Sequence, residues 1–297
     1  MNGQPMRLRL PAYAKINLAL EILGRRTAGF HELASVTQTI SLADTLEAAP
    51  DVAFSLTMSP PLVGDGDNLV ARAASVLAEH TGRATTGRLR LIKRIPLAAG
   101  LGGGSSDAAA ALRLLDRLWG TRVGARGLGP VAADLGSDVS LFLAGGTSLI
   151  RGRGEHVEKL PPTHPFWLVL VCPDISPPDK TRALYRSLDP SEWSDGAQTL
   201  ALAETIRAGR PLTAAGLVNG FDGAADRVYP QFAELRARLH QLAGQPFHLT
   251  GAGPSLFALF VSMRAARTAA ARIQQDGIPV HVARSIARQP AIRASHT

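Results

Sequence analysis

The 297-residue chain has 45% hydrophobic residues, 19% charged residues and a formal net charge of +8, the composition of a globular protein with ample material for a core. A single cysteine, Cys172, excludes a disulfide framework or a cysteine-built metal site within the chain, and its place in the apolar run FWLVLVC makes it a core residue. No apolar run reaches the roughly 20 residues of a membrane span, and MNGQPMRLRLPAYA lacks a signal-peptide core, so a cytoplasmic protein with no membrane partner is expected.

The positive charge invites a nucleic-acid reading, but its distribution opposes one. Only four of the 32 basic residues are lysines (Lys15, Lys93, Lys159 and Lys180), and the arginines are scattered without a block of five or six like charges. Aromatic residues at 5% leave few platforms for stacking bases, so no nucleic-acid partner is expected. Against so much arginine, each lysine is a rarer choice than usual.

In chain order, RLRL, AYAKINLALEI, HELASVTQTISL and DVAFSLTMS read as strands. DNLVARAASVLAEHTG reads as a helix opened by Asp or Asn and stopped by Gly82. Strand RLRLIKRI, a glycine loop and helix SDAAAALRLLDRLWG follow. Prolines cluster in EKLPPTHP before strand FWLVLVC, which suggests a boundary there. Beyond it, helices are expected around 181–187, 197–208 and 231–242. FHLTGAGPSLFALFV, helix AARTAAARIQQDG and strand PVHVARSI come next, and RQPAIRASHT is expected to be a frayed tail. Strands in runs at hairpin spacing point to an α+β fold rather than a doubly wound parallel sheet.

PLAAGLGGGSSDAAAAL, Pro96 to Leu112, carries the most specific chemistry. Ala108, Ala111, Leu112, Leu115, Leu118 and Trp119 share one helical face; Ser105 or Ser106 is a natural N-cap and Gly120 a natural stop. The glycines therefore lie before a helix N-terminus, where unpaired N–H groups and the positive end of the dipole favour an anion such as phosphate. A Walker loop would need Gly-Lys-Ser/Thr, and a dinucleotide fingerprint would need a third glycine where serine stands. The loop thus has no cation of its own.

Period-2 alternation in AYAKINLALEI puts Ala12, Ala14, Ile16, Leu18, Leu20 and Ile22 on one face. Tyr13, Lys15, Asn17, Ala19 and Glu21 fall on the other. Lys15 can supply the missing charge, or it can be an ordinary solvent-facing lysine. Lys93, three residues before the loop, is its rival or flanks the nucleotide. A phosphoryl acceptor also benefits from a carboxylate near its hydroxyl, and VAADLGSDVSLFLAGG offers Asp134 and Asp138. Residue chemistry alone leaves both open, and Asp138 can equally be a turn or capping aspartate.

PLAAGLGGGSSDAAAAL resembles the second motif of the GHMP kinases, AKINLAL the first and LTGAGPSLFAL the third, in the family order and spanning residues 14 to about 259. Together with GFHEL, the details are most similar to the branch whose acceptor is a cytidyl-diphosphate sugar alcohol in the non-mevalonate route to isoprenoid precursors. The resemblance implies a GHMP kinase fold with an N-terminal ribosomal protein S5 domain 2-like domain (1–160), a C-terminal ferredoxin-like domain (161–297) and the site in the cleft between. It implies phosphorylation of the acceptor's C2 hydroxyl by ATP, which arrives as its Mg2+ complex, with no tightly bound cofactor and no protein metal site. The chain is expected to work as a monomer or homodimer.

By this resemblance Asp138 takes the hydroxyl proton, while Lys15 orients it and offsets charge on the transferring group. Pro96, Leu97, Ala98, Ala99, Gly100, Leu101, Gly102, Gly103, Gly104, Ser105 and Ser106 form the ATP loop, with Asn68 and Lys93 on the nucleotide side. Asn17, Phe30, His31, Thr181 and Tyr185 bind the acceptor. His31 hydrogen-bonds the cytosine, and Phe30 and Tyr185 stack on it. Two positions depart from the family pattern: Phe30 stands where tyrosine is commoner, keeping the ring without its hydroxyl, and Ser140 stands where proline often follows Asp-Val. The turn GAGP supports the site. The competing readings are another GHMP kinase of homoserine or mevalonate type, which Phe30 and His31 oppose, an arginine-rich nucleic-acid-binding protein, or a dinucleotide-dependent oxidoreductase.

Overall fold

The computed structural model describes residues 6–25, 31–61, 68–175, 179–229 and 231–296. In chain order it begins with β1 (Met6–Arg25), β2 (His31–Ala49), β3 (Phe54–Ser59), α1 (Leu69–Thr81), β4 (Gly87–Ile92) and α2 (Gly103–Trp119). α3 (Gly124–Leu135), α4 (Ser137–Ala144), β5 (Thr147–Gly152) and β6 (His156–Lys159) complete the first half. The second half runs β7 (Trp167–Val171), α5 (Lys180–Ser187), α6 (Ala197–Arg207), β8 (Val218–Asn219), α7 (Asp222–Val228) and α8 (Phe232–Ala243). It closes with β9 (His248–Leu249), β10 (Leu256–Phe260), α9 (Met263–Gln275), β11 (Val280–Arg284) and β12 (Arg293–His296).

The long antiparallel pair of β1 and β2 is the spine of a sheet ordered β12-β1-β2-β4-β3, and β5 pairs with β2 where β4 leaves off. Most contacts in it are antiparallel; β3 and β4 are parallel. Leu8, Leu10, Leu46 and Leu89 from this sheet meet the inner faces of α1 and α2 in one apolar core. α2 presents the predicted face: Ala108, Ala111, Leu112 and Leu115 are buried. Asn68 caps α1 and Gly82 ends it in the left-handed conformation, as its composition predicts.

A second, antiparallel sheet is ordered β11-β7-β10-β9. FWLVLVC supplies β7, a central strand buried on both faces, which is why it reads as a continuous apolar run. The chain changes sheet between Lys159 and Trp167, inside the proline-rich segment. β8 and β12 nevertheless return to pair with β1, so the first sheet is finished by the second half of the chain.

The structure corrects three sequence expectations. β1 is buried on both faces from Ala14 to Ile22: Ile16 and Leu18 of the apolar face share a core with Leu168 and Phe257, while the second half also covers the other face, where Glu21 accepts the Thr199 N–H at 2.6 Å and Gly251 packs against Lys15. RQPAIRASHT is not frayed to its end: β12 covers the free edge of β1, and Arg113 holds Gln289 and the carbonyl of Pro290. Finally, α2 begins at Gly103, two residues before Ser105, with Gly102 as its cap. Ser106 is already inside the helix, where its hydroxyl donates to the Tyr13 carbonyl at 2.7 Å.

Candidate functional site

With α2 starting at Gly103, the glycines themselves make its first turn. The N–H groups of Gly103, Gly104 and Ser105 have no carbonyl one turn back, whereas Ser106 N–H donates to Gly102 O at 2.9 Å. These free donors and the helix dipole form an anion cradle with no bulky side chain in its first two positions. Leu101 O accepts the Lys15 backbone N–H at 3.0 Å, which ties the loop to β1.

Beneath the loop, Lys15 and Asn17 project together from β1, as their spacing predicts. Lys15 Nζ donates to Asn17 Oδ1 at 2.6 Å, and Asn17 Nδ2 donates to Ser35 Oγ at 2.7 Å. Thr250, at the start of the third glycine-bearing segment, accepts the Asn17 backbone N–H at 2.9 Å. Two glycines make this junction possible. A Cβ on Gly100, at φ +80°, would lie 2.9 Å from Thr250 O. One on Gly251, at φ +58°, would lie 3.3 Å from Lys15 Nζ. The GAGP segment thus packs directly against the glycine loop and the buried lysine. Ser35 joins the site without having been singled out in the sequence, where a lone serine on a strand carries no distinguishing pattern; Thr250, just after β9, lies in the third motif but had no role of its own there.

Asp138 and Asp134 separate cleanly in space. Asp134 is exposed near the end of α3. Asp138 lies half-buried in the first turn of α4, whose Phe142 ring packs against Gly102 of the loop. Lys15 is only 7% exposed. That burial lowers its pKa, and the charge of Asp138 works in the opposite sense. The same aspartate charge adds to burial in raising the Tyr185 pKa, so its field reaches both the buried ammonium and the opposite wall.

Lys93 has a different setting. Its ammonium contacts Asp44 Oδ2 at 2.5 Å and Asp107 Oδ2 at 2.7 Å, and its side chain is 8% exposed. Asp44 also accepts the Ile95 N–H at 2.8 Å. Burial pushes the Asp107 carboxyl up to about 8, with Lys93 opposing the shift and Asp44 adding to it. The charge of Lys93 is therefore committed inside the protein, directly under Gly103. Asn68 is likewise engaged: Oδ1 caps α1 by accepting from Val70 N–H at 2.8 Å, and Nδ2 lies 3.1 Å from Met58 Sδ.

On the other side of the loop, a cleft of about 1590 Å³ is lined by His31, Leu97, Ala98, Lys180, Thr181 and Tyr185, among others. The His31 and Tyr185 rings stack at 4.7 Å and 27°, and Phe221 meets Tyr185 edge-on at 5.0 Å. Burial and the nearby Arg25 lower the His31 pKa, favouring a neutral ring with one donor and one acceptor nitrogen. At 4.7 Å the two rings already touch, so a base can stack on an outer face of this pair but not lie between them. Thr181 is exposed one turn before Tyr185 on α5. Phe30 lies outside the described residues. Lys180 was not singled out by the sequence motifs; its rarity as a lysine was the available clue. Among the described residues, no group of three or more His, Cys, Asp or Glu is placed to hold a metal ion, and no helix is long and apolar enough to cross a membrane.

The family profile described as GHMP kinases N terminal domain matches residues 68–146, which include α1, the loop, α2 and Asp138. The chain is 41% identical over 253 residues to the 4-diphosphocytidyl-2-C-methyl-D-erythritol kinase of Dehalococcoides mccartyi, covering 85% of this chain and 89% of that one. The chain belongs to the 4-diphosphocytidyl-2-C-methyl-D-erythritol kinase family. Identity to the family member of Pelotomaculum thermopropionicum is 39%, over 92% of this chain and 96% of the relative. A crystal structure of a 4-(cytidine 5'-diphospho)-2C-methyl-D-erythritol kinase superposes with a TM-score of 0.80 at 33% identity, covering 93% and 98% of the two chains. The homoserine kinase of Cytophaga hutchinsonii shares the fold, with a TM-score of 0.70 at 17% identity over 99% and 98% of the chains. The architecture is the α+β GHMP kinase fold that the three motifs imply.

Proposed function

We propose that this chain transfers the γ-phosphoryl group of ATP to the C2 hydroxyl of 4-diphosphocytidyl-2-C-methyl-D-erythritol, giving the 2-phosphate and ADP in the non-mevalonate isoprenoid pathway. The observation that carries the proposal is the convergence of three elements: a free helix N-terminus at Gly103, a buried lysine from β1, and Asp138 at the start of α4, whose charge acts on that lysine. Family membership supports the substrate assignment.

In this reading the N–H groups of the α2 first turn hold donor phosphate oxygens, and magnesium enters with ATP as part of the substrate. Asp138 accepts the proton of the C2 hydroxyl as that oxygen attacks the γ-phosphorus and the bond to the β-phosphate oxygen breaks. Lys15, fixed by Asn17, holds the carboxylate in register and offsets negative charge on the transferring group. Positioning and electrostatics supply most of the rate enhancement in such a site. His31 and Tyr185 receive the cytosine and Thr181 the remainder of the acceptor, while Asn68 and Lys93 shape the nucleotide side from below. The same reading divides the chain into an ATP-binding domain of residues 1–160 and a C-terminal domain of residues 161–297.

The test is ADP release with magnesium-ATP and one acceptor at a time: the cytidyl substrate, homoserine, mevalonate or none. Turnover confined to the cytidyl substrate is expected. Turnover with homoserine or mevalonate instead would retain the phosphate loop and overturn the acceptor.

A further inference from the structure

Lys180, the first residue of α5, is held in an unusual way. Its ammonium donates to two backbone carbonyls, Ala98 O in the ATP loop and Gly253 O in the third-motif turn. Among the described residues no carboxylate lies within ion-pair distance of it: Asp179 is taken by Arg182 at 3.6 Å, and Asp174 lines the cleft without pairing to Lys180. The charged group that acts on it most is Lys15, a cation. Burial and that like charge bring its pKa down to about 8.

A half-buried ammonium satisfied only by neutral carbonyls and facing a second ammonium is short of an anion. Its place says where the anion belongs. Lys180 lines the same cleft as His31, Thr181 and Tyr185, between the ring pair and the ATP loop. Arg25 and Arg186 line this cleft as well, adding positive charge around the ring pair.

We propose that Lys180 is a phosphate-binding cation of the acceptor pocket, holding the diphosphate of a cytidyl-diphosphate acceptor while the base rests on the His31–Tyr185 pair. This rests on the acceptor assigned above. On binding, the ammonium exchanges its carbonyl partners for phosphate oxygens, so the two glycine segments it links are released to the substrate.

The experiment is calorimetric titration of cytidine 5'-diphosphate and cytidine, then of ATP and adenosine, into the wild type, Lys180→Met and Lys180→Arg. The wild type is expected to prefer the diphosphate to the nucleoside. Lys180→Met should lose about ten-fold or more of that preference with cytidine affinity unchanged, and Lys180→Arg should keep most of it. An unchanged preference in Lys180→Met would overturn the proposal even if turnover fell, because the lysine would then only strap the loops. A loss confined to the ATP–adenosine pair would overturn it in favour of the donor's phosphates. A wild type that does not discriminate the diphosphate from cytidine would sink the acceptor reading and this proposal together.

Should Lys180→Met fail to fold, pH takes its place. The wild-type preference should decline as pH rises through about 8, and Lys180→Arg should hold it, since a guanidinium stays charged. The charged and titratable groups around Lys180 are Lys15 and Arg25 of β1, His31 of β2, Arg153 after β5, Cys172 and Asp174 after β7, and Asp179, Arg182, Tyr185 and Arg186 of its own segment. All of them are common to the wild type and Lys180→Arg, so an alkaline decline shared by both proteins would overturn the assignment.

Discussion

Lys15 and Lys93 are both buried beside the glycine loop, and the protein treats them oppositely. Lys93 lies between two carboxylates, one of them also held by backbone N–H groups, so its charge is neutralised on the spot. Lys15 has a neutral amide oxygen as its hydrogen-bond partner, and Asp138 acts on it only through its field. A compensated charge braces the base of a loop. An uncompensated one, kept at a cost in desolvation, is useful only where a substrate later brings the opposite charge. By that criterion Lys180 groups with Lys15. Of the four lysines in this arginine-rich chain, three therefore converge on the glycine loop.

The sharpest way to break this comparison is to neutralise Lys15. Lys15→Met and Asp138→Asn should each lower kcat by about a thousand-fold or more in an ADP-release assay, while thermal unfolding shows little loss of stability. If Lys15→Met unfolded the protein instead, the two lysines would not differ in kind. Lys93→Met should do the reverse, lowering stability to denaturant by about 3–5 kcal/mol because the buried Asp44 carboxylate loses its cation and Asp107 loses a hydrogen-bond partner. Adding Asp107→Asn to that variant should restore part of the loss.

Smaller effects refine the picture. Gly100→Ala, which strains a residue at φ +80° and pushes a methyl into Thr250 O, should cost about 1–3 kcal/mol and raise the KM for ATP. Tyr185→Ala should raise the KM for the acceptor about ten-fold, and Tyr185→Phe should leave it nearly unchanged, because the ring face and not the hydroxyl does the stacking.

The mildest test concerns pH. The native state holds the Asp107 proton more tightly than the unfolded chain does, since its carboxyl is raised to about 8. Stability from this group is therefore present at low pH and is lost as pH climbs from the ordinary carboxylate range through about 8. Lys93, whose pKa is raised from an already high value, contributes its own loss only above that window. Asp107→Asn should flatten the dependence of the unfolding midpoint between pH 6 and 9. A slope equal to that of the wild type would remove Asp107 from this account.

Much of the fold was legible because local rules act within a few residues. The cap and stop of α1, the apolar face of α2 and the buried run of β7 follow from side-chain periodicity and glycine placement. α3 and α4 escaped notice as helices, since glycines and Pro130 interrupt their pattern and tertiary contacts with α2 hold them in place. The start of α2 was missed for a related reason. Glycine has weak helix propensity, yet here two glycines open α2 and leave its first N–H groups without side-chain cover.

The sequence by itself determined the order of the three glycine-bearing motifs, the placing of Lys15 beside Asn17 on one strand, and the presence of an anion cradle without its own cation. These depend on periods of 2 and 3.6 residues and on backbone geometry near glycine, all of them local. Resemblance to the three motifs pointed to Lys15 and Asp138; tertiary structure decided that Lys93 and not Lys15 is ion-paired, that Asp134 is left exposed, and that Lys180 spans two loops from the far side of the cleft. Those outcomes depend on burial and on partners more than 40 residues away in the chain, which periodicity does not encode.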